Sequence, residues 1–249
     1  MEIQVAVAKT SRFASLEGGD TLEVVERPNG GVSIVLCDAN LTGRDSKRIS
    51  SLVVRKVISL LAEGVRDGAA ARAASDLLFT EWGGNAAAYL NILSADLQTQ
   101  TLVITHNSLT PVFISQNGHM QCLSEDWSPI GLERNLRPAI TEIPLLTGTT
   151  VVLYTDGITK AGRQFGQEFD SCFLLDTLMG EDLPQAQEIA DHLLAQAIRL
   201  DQGRPSDDMS VVVLQVLPEE RDSVRRLWIR LPVHQGQTFG DEISSKEIC

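Results

Sequence analysis

The stretch Val151–Gly157, with the sequence VVLYTDG, decides how this chain is interpreted. Its first residues favour a strand, and Asp156 with Gly157 follows as a tight turn, so that a buried strand delivers one carboxylate to its end. An Asp-Gly pair after a strand is also common in ordinary turns, where the aspartate bonds to its own backbone. This stretch alone leaves open both a simple turn and a functional carboxylate.

Three further aspartates stand where a predicted strand meets a loop. Asp20 precedes a strand, Asp38 ends the apolar run 32–36, and Asp207 precedes a strand predicted over 209–217. Carboxylates gathered at one sheet edge repel one another unless a proton or a cation neutralises them. Oxygen ligands select hard cations such as Mg²⁺, Mn²⁺ or Ca²⁺. The pattern therefore predicts a divalent-cation site.

The four motifs that carry these aspartates, in the order GGD, CDANLTG, YTDGIT and PSDDMSVVV, resemble the metal-dependent protein phosphatases of type 2C. They are most similar to the bacterial branch, which includes the sporulation stage II protein E phosphatases and the stress phosphatases that control sigma factors. The resemblance covers about residues 5–217. It implies an α+β fold, a four-layer α-β-β-α sandwich of two antiparallel sheets flanked by helices.

The resemblance also implies a centre of two Mn²⁺ or Mg²⁺ ions with a bridging water. Asp38 would be the bridging ligand, aided by the backbone carbonyl of Ala39. Asp20 would bind directly or through water, while Asp156 and Asp207 would complete the second metal. No protein nucleophile is then required, which agrees with the lack of a cysteine- or serine-centred motif in the sequence.

Other candidate residues carry weaker signals. Lys9 and Arg12 lie upstream of the first aspartate and are candidates to contact a substrate phosphate, although solvated surface charge is the simpler interpretation. His106 fails to align with the histidine of the bacterial phosphatases and is interpreted as a strand-end residue. Tyr154 stands where haloacid-dehalogenase phosphatases need a nucleophilic aspartate, which excludes that chemistry.

The loop Asp38–Gly43 departs from the family pattern. Leu41 stands where a glycine is expected, and glycine is favoured in such loops because it reaches positive φ and lets backbone approach an ion. Either the loop has relaxed and keeps both metals, or one metal site is weakened. We favour the first, with a phosphatase that needs millimolar-scale Mn²⁺.

Composition narrows the function classes. The chain has 249 residues, 43% of them hydrophobic, and a formal net charge of −12, which disfavours nucleic acid as a partner. It starts without a basic, apolar leader and has no apolar run of membrane-spanning length, so that no membrane partner and a cytoplasmic location are expected. Its four cysteines have no CxxC spacing, which favours reduced thiols.

The order of predicted elements is not βαβ alternation, which disfavours a parallel sheet. Residues 1–232 are expected to form one phosphatase-like domain that fills almost the whole chain, with a polar tail over 233–249. Regulation would then come from a partner or from expression. A last strand is predicted over 224–231, and Trp82, Trp127 and Trp228 are predicted to be packing anchors.

The sequence thus predicts a protein serine/threonine phosphatase. By resemblance, its substrate would be a phosphorylated anti-sigma-factor antagonist or a stress-signalling scaffold. Two alternatives stay open: a non-catalytic phosphatase-like binding module, and a metal-dependent hydrolase of small phosphoesters.

Overall fold

The computed structural model describes residues 1–15, 18–39, 44–124, 128–179, 184–218 and 224–230. These residues form ten strands and five α-helices. The strands are β1 (Glu2–Thr10), β2 (Thr21–Glu26), β3 (Gly31–Ala39), β4 (Ala88–Asp96), β5 (Thr101–Asn107), β6 (Val112–Gln116), β7 (His119–Leu123), β8 (Ala139–Pro144), β9 (Thr150–Tyr154) and β10 (Met209–Leu217). The helices are α1 (Arg44–Ala62), α2 (Asp67–Trp82), α3 (Asp156–Lys160), α4 (Ser171–Leu178) and α5 (Ala186–Leu200), and a single 3₁₀ turn covers Arg163–Phe165.

The strands build two five-stranded sheets, both antiparallel throughout. One has the order β1-β10-β9-β6-β7 and the other the order β2-β3-β4-β5-β8. The predicted hairpin of β2 and β3 is present, with Arg27–Gly31 closing the turn through two backbone hydrogen bonds. The expected pairing of two antiparallel sheets is confirmed.

Three apolar layers define the packing. The middle layer lies between the sheets and includes Ile34 and Leu36 from one sheet with Val151 and Val212 from the other. A second layer packs α1 and α2 against β3 and β4, and a third packs α4 and α5 against β1, β9 and β10. This is the predicted α-β-β-α sandwich.

Helix spacing explains the outer layers. In α1 the residues Ile49, Val53, Val57 and Leu61 recur at four-residue intervals and are fully buried, which places one apolar face of the helix on the sheet. Helix α2 is alanine-rich on its buried side, so it packs closely against its neighbours, and it ends at Gly83 in the left-handed conformation. None of the helices in the described ranges is long and apolar enough to cross a membrane.

Several expectations are wrong. Residues 224–230 form no strand, and Trp228 is 87% exposed, so it is not a packing anchor; the segment with the alternating pattern pairs with no strand among the described residues. Trp82 does pack against the core, whereas Trp127 lies outside the described residues. The tail 233–249 and most of the Asp38–Gly43 loop, residues 40–43, also lie outside them.

The expectation of reduced thiols is wrong for one pair of cysteines. Cys122 on β7 and Cys172 on α4 form a disulfide, with their Cα atoms 6.2 Å apart. These residues are 50 positions apart in sequence and meet because α4 packs on the outer face of the sheet that β7 borders. Cys37 is free and buried.

Candidate active site

The predicted carboxylates are brought together by strand register at one end of the two sheets. In one sheet, that of β2 and β3, Thr21 pairs with Cys37, which sets Asp20 beside Asp38. In the other, Tyr154 pairs with Val211, so the residues after β9 meet those before β10. Asp156 follows β9 as the first residue of α3, and Asp207 stands two residues before β10.

Hydrogen bonds to Asp20 join the two sheets. Its Oδ2 accepts a bond from the Thr155 hydroxyl at 2.9 Å and another from the Ser210 hydroxyl at 2.6 Å. The residue is only 1% exposed, and its Oδ1 has no hydrogen-bond partner among the described residues. Burial raises the pKa of Asp20, although the bond from Ser210 and the charge of Lys9 work against the increase. A buried carboxylate oxygen without a hydrogen-bond partner costs free energy, which points to a cation or a proton as its partner.

The other three carboxylates repel the charge of Asp38. Burial raises the pKa of Asp38 well above its usual value, and repulsion from Asp20, Asp156 and Asp207 raises it further. The structure therefore brings together all four predicted aspartates. The neighbouring Ala39 is buried, and its carbonyl oxygen accepts one long bond, from the Ser46 hydroxyl at 3.5 Å.

Lys160 is the functional residue that sequence reasoning missed. Its Nζ lies 2.7 Å from Asp156 Oδ2 and 3.1 Å from Asp207 Oδ2, so one ammonium contacts two predicted metal ligands. Burial alone would lower the pKa of Lys160, but the bonds and attraction from these two carboxylates outweigh it and raise the pKa above its ordinary value. A signal was present in the sequence, because a lysine four residues after an aspartate at a helix start meets that aspartate.

The donor set fits one hard divalent cation between Asp20 and Asp38. Asp20 Oδ1 has no hydrogen-bond partner among the described residues, the Ala39 carbonyl accepts one long bond, and the Asp38 carboxylate supplies further oxygen donors. Mg²⁺ is often held by one or two carboxylates while waters complete its coordination. Among the described residues, no group of three or more histidine, cysteine, aspartate or glutamate side chains is arranged to hold one ion. The geometry thus fits a two-carboxylate site better than a closed cage.

Gly157 and Asp208 have structural roles at this end of the sheets. A Cβ at Gly157 would collide with the backbone carbonyl oxygen of Asp208, so the glycine of the TDG motif is needed for close packing against the start of β10. Asp208 Oδ1 accepts the backbone N–H of Arg12 at 2.9 Å, and its Oδ2 accepts that of Gly19 at 2.5 Å. The Asp208 carboxylate therefore anchors the segment before Asp20.

The two candidate phosphate contacts differ in position. Arg12 is exposed, and the bond that ties it to this region comes from its backbone. The Lys9 ammonium donates to the backbone carbonyl of Asp20 at 2.5 Å, and the ammonium of Lys47 on α1 donates to the same oxygen at 2.8 Å. Lys9 and Lys47 therefore place positive charge beside the carboxylates, and Lys47 had no sequence signal.

Two other residues are excluded from acid–base or nucleophilic roles. His106 lies near the end of β5, as predicted, with Nδ1 bonded to Asn91 Oδ1 at 2.6 Å, and burial lowers its pKa to about 4. It is therefore neutral at pH 7. Burial also raises the pKa of the Cys37 thiol well above its usual value, so this fully buried thiol stays protonated.

Comparison with known proteins finds a matching family and related sequences. The family model described as Stage II sporulation protein E (SpoIIE) matches residues 28–217. The chain is 21% identical to stage II sporulation protein E of Bacillus subtilis over 231 residues, a match that covers 93% of this chain and 27% of that protein.

Solved structures share the fold. The PP2C phosphatase domain of B. subtilis SpoIIE, solved with a fragment of its regulatory domain, is 22% identical with a TM-score of 0.73, and the match covers 87% of this chain and 64% of that one. The catalytic domain of the serine/threonine phosphatase PstP, in complex with two manganese ions, is 16% identical with a TM-score of 0.65, over 86% of this chain and 98% of that one. Because the family model covers well over half of the chain, the protein belongs to the SpoIIE family and has a PP2C-type fold.

Proposed function

We propose that this chain is a metal-dependent protein serine/threonine phosphatase that hydrolyses phosphoserine or phosphothreonine on a signalling protein. The observation that carries the proposal is the Asp20–Asp38 pair, in which Asp20 is bonded to Thr155 and Ser210 of the other sheet and keeps a buried carboxylate oxygen without a partner among the described residues. Membership of the SpoIIE family and the PP2C-type fold support the same activity.

Asp20, Asp38 and the Ala39 carbonyl would hold a Mn²⁺ or Mg²⁺ ion. Such an ion, when bound, acidifies water and neutralises phosphoryl oxygens. A second ion, as the resemblance implies, would need Asp156 and Asp207, which Lys160 contacts.

The chain's own residues supply orientation and charge. The Thr155 and Ser210 hydroxyls fix one oxygen of Asp20, which leaves the other oxygen available to an ion. The Lys9 and Lys47 ammonium groups add positive charge next to the carboxylates, which offsets part of the field that an acidic protein presents to a phosphoryl group. With Cys37 protonated and His106 neutral, hydrolysis would use water rather than a protein nucleophile.

The proposed substrate is a phosphorylated anti-sigma-factor antagonist or a stress-signalling scaffold protein. The net charge of −12 argues against a nucleic-acid substrate, since phosphate backbones require clustered cations. A cytoplasmic location is part of this proposal.

A non-catalytic phosphatase-like module is the second candidate. Two observations favour it: Lys160 already pairs with both Asp156 and Asp207 and offsets one of their two negative charges, and the described residues contain no group of three metal-ligating side chains. Such a module would bind a phosphoprotein without turnover.

A phosphatase assay with and without Mn²⁺ separates these functions. The substrates are a panel of phosphorylated antagonist proteins, with a sugar phosphate as the small-molecule comparison. We expect Mn²⁺-dependent release of phosphate from protein substrates, and a loss of at least about a hundredfold in Asp38→Asn because a ligand to the catalytic ion is removed. Asp176→Asn, an exposed carboxylate on α4, is the matched control. Absence of turnover in the folded wild type under saturating Mn²⁺ supports the module, and preference for the sugar phosphate supports a small-molecule hydrolase.

A further inference from the structure

The Lys160 ammonium lies between two carboxylates, at a position that a metal ion would otherwise occupy. It is hydrogen-bonded to Asp207 Oδ2 and ion-paired with Asp156 Oδ2, at 3.1 and 2.7 Å. The exposed fractions of these side chains are 16% for Asp156 and 42% for both Asp207 and Lys160, so the cluster stands at the rim of the site.

The local fold places the two charged residues of α3 next to each other. Asp156 and Lys160 are the first and last residues of the five-residue helix α3, and their four-residue spacing places them on one face. The helix is held against β10, where Gly157 packs on the Asp208 carbonyl. Pairing of β9 with β10 then brings Asp207 to the same ammonium.

The two halves of the site differ in how their charge is balanced. Lys160 reaches carboxylate oxygens, whereas Lys9 and Lys47 reach the backbone carbonyl of Asp20 and leave its Oδ1 without a partner. A divalent ion placed between Asp156 and Asp207 would lie next to an ammonium, and like charges a few ångströms apart repel strongly in a partly buried site.

We propose that Lys160 is a built-in cation that occupies the Asp156–Asp207 half of the site, so that the wild-type chain binds one divalent cation tightly, on the Asp20–Asp38 half. The proposal rests on the proposed metal-dependent function and makes this lysine the determinant of metal stoichiometry. A second ion enters only when the ammonium leaves these carboxylates, which makes the second site weak.

Manganese titration of the full chain tests the stoichiometry. Isothermal calorimetry, together with electron paramagnetic resonance of free Mn²⁺, counts the bound ions and measures each affinity. We expect one tight site in the wild type, and in Lys160→Met a second site whose affinity rises at least about tenfold, because the repelling charge is gone. Lys160→Gln, which keeps a hydrogen-bond donor and loses the charge, should behave like Lys160→Met and serves if that variant does not fold. Lys160→Arg should retain the wild-type stoichiometry.

Lys56→Met provides the matched control for charge. Lys56 lies nine residues beyond Lys47 on the same helix, about 13 Å along its axis, and the variant has the same change in net charge. It should leave both affinities as in the wild type.

The outcomes separate this inference from the proposed function. Two equally tight sites in the wild type, unchanged in Lys160→Met, overturn the role of Lys160 while Mn²⁺-dependent turnover still supports the phosphatase. A gain in the second affinity that Lys56→Met reproduces also overturns it, since the effect is then one of net charge. If neither the wild type nor the variants bind Mn²⁺, the metal-dependent function fails, and the inference fails with it.

Discussion

The two halves of the site differ in how the charge of their carboxylates is balanced. The Asp20–Asp38 half is deep, and within the described part of the chain the side-chain bonds to the Asp20 carboxylate come from neutral hydroxyl groups. The Asp156–Asp207 half is shallower, and Lys160 contacts both of its carboxylates and offsets one of their two negative charges. Burial raises the pKa of both Asp20 and Asp38, and repulsion from Asp20, Asp156 and Asp207 raises that of Asp38 further, so the folded chain disfavours the charged form of both carboxylates when no cation is bound.

This difference shows that carboxylates in one motif set need not share one role. A carboxylate with an ammonium partner is satisfied without any ligand, whereas a buried carboxylate oxygen with no partner depends on a proton or a cation. Removal of a cation should therefore destabilise the fold most when the cation comes from the deep half.

The largest expected effect is the stabilisation of the fold by Mn²⁺. A ligand that binds only the folded state at a hundredfold excess over its Kd adds about 2.7 kcal/mol to the free energy of unfolding. Thermal melts in EDTA and in Mn²⁺ should therefore differ in the wild type. Asp38→Asn should remove most of this difference, because it takes a ligand from the deep half.

Asp207→Asn sharpens the comparison, because it changes a carboxylate that already has an ammonium partner. This variant should keep most of the stabilisation by Mn²⁺. Melting curves of the wild type that coincide in EDTA and in Mn²⁺ would contradict the proposed metal site. Equal losses in the two variants would show that both halves bind the ion.

A smaller effect is expected from pH in the absence of metal. The pKa values of Asp20 and Asp38 are raised on folding, so between the unfolded and folded values the native chain binds more protons than the unfolded chain. The contribution of these two groups to stability is therefore full below the unfolded pKa of about 4 and is lost as pH rises through their folded pKa values. Each unit of pKa shift corresponds to about 1.4 kcal/mol.

Denaturant unfolding in EDTA at a series of pH values measures this loss. Asp38→Asn should flatten the decline and leave the metal-free protein more stable than the wild type near neutral pH. Asp207→Asn should leave the slope nearly unchanged. The prediction is contradicted if the free energy of unfolding of the wild type rises over this pH range and rises by the same amount in Asp38→Asn.

Local patterns predicted much of this fold. Strand β8 was predicted over 139–144 and is found there, and the apolar spacing of α1 identified its buried face. Each aspartate was placed at a strand end because residue type and neighbours within a few positions define such an end. The four strand-end aspartates predicted a divalent-cation site, and the resemblance to a known family then implied the role of each ligand.

What the sequence did not reveal depends on distant contacts. Lys160 meets Asp207 across 47 positions, and this contact exists only because β9 and β10 pair. The disulfide partners Cys122 and Cys172 are likewise joined by the packing of a helix on a sheet. Residues 224–230 illustrate the opposite error, since a strand-like pattern there has no pairing partner in the described structure.

The smallest expected effect comes from Asp208, which is adjacent to a proposed ligand and yet has a structural role. Its two carboxylate oxygens accept the backbone N–H groups of Arg12 and Gly19, and an asparagine side chain has only one oxygen to accept them. Asp208→Asn should therefore lower the free energy of unfolding by about 1 kcal/mol, the usual contribution of one hydrogen bond. The stabilisation by Mn²⁺ should persist, because Asp20 keeps its bonds to Thr155 and Ser210. Denaturant unfolding with and without Mn²⁺ measures both quantities, and a folded Asp208→Asn protein that no longer responds to Mn²⁺ would make Asp208 a ligand instead of an anchor.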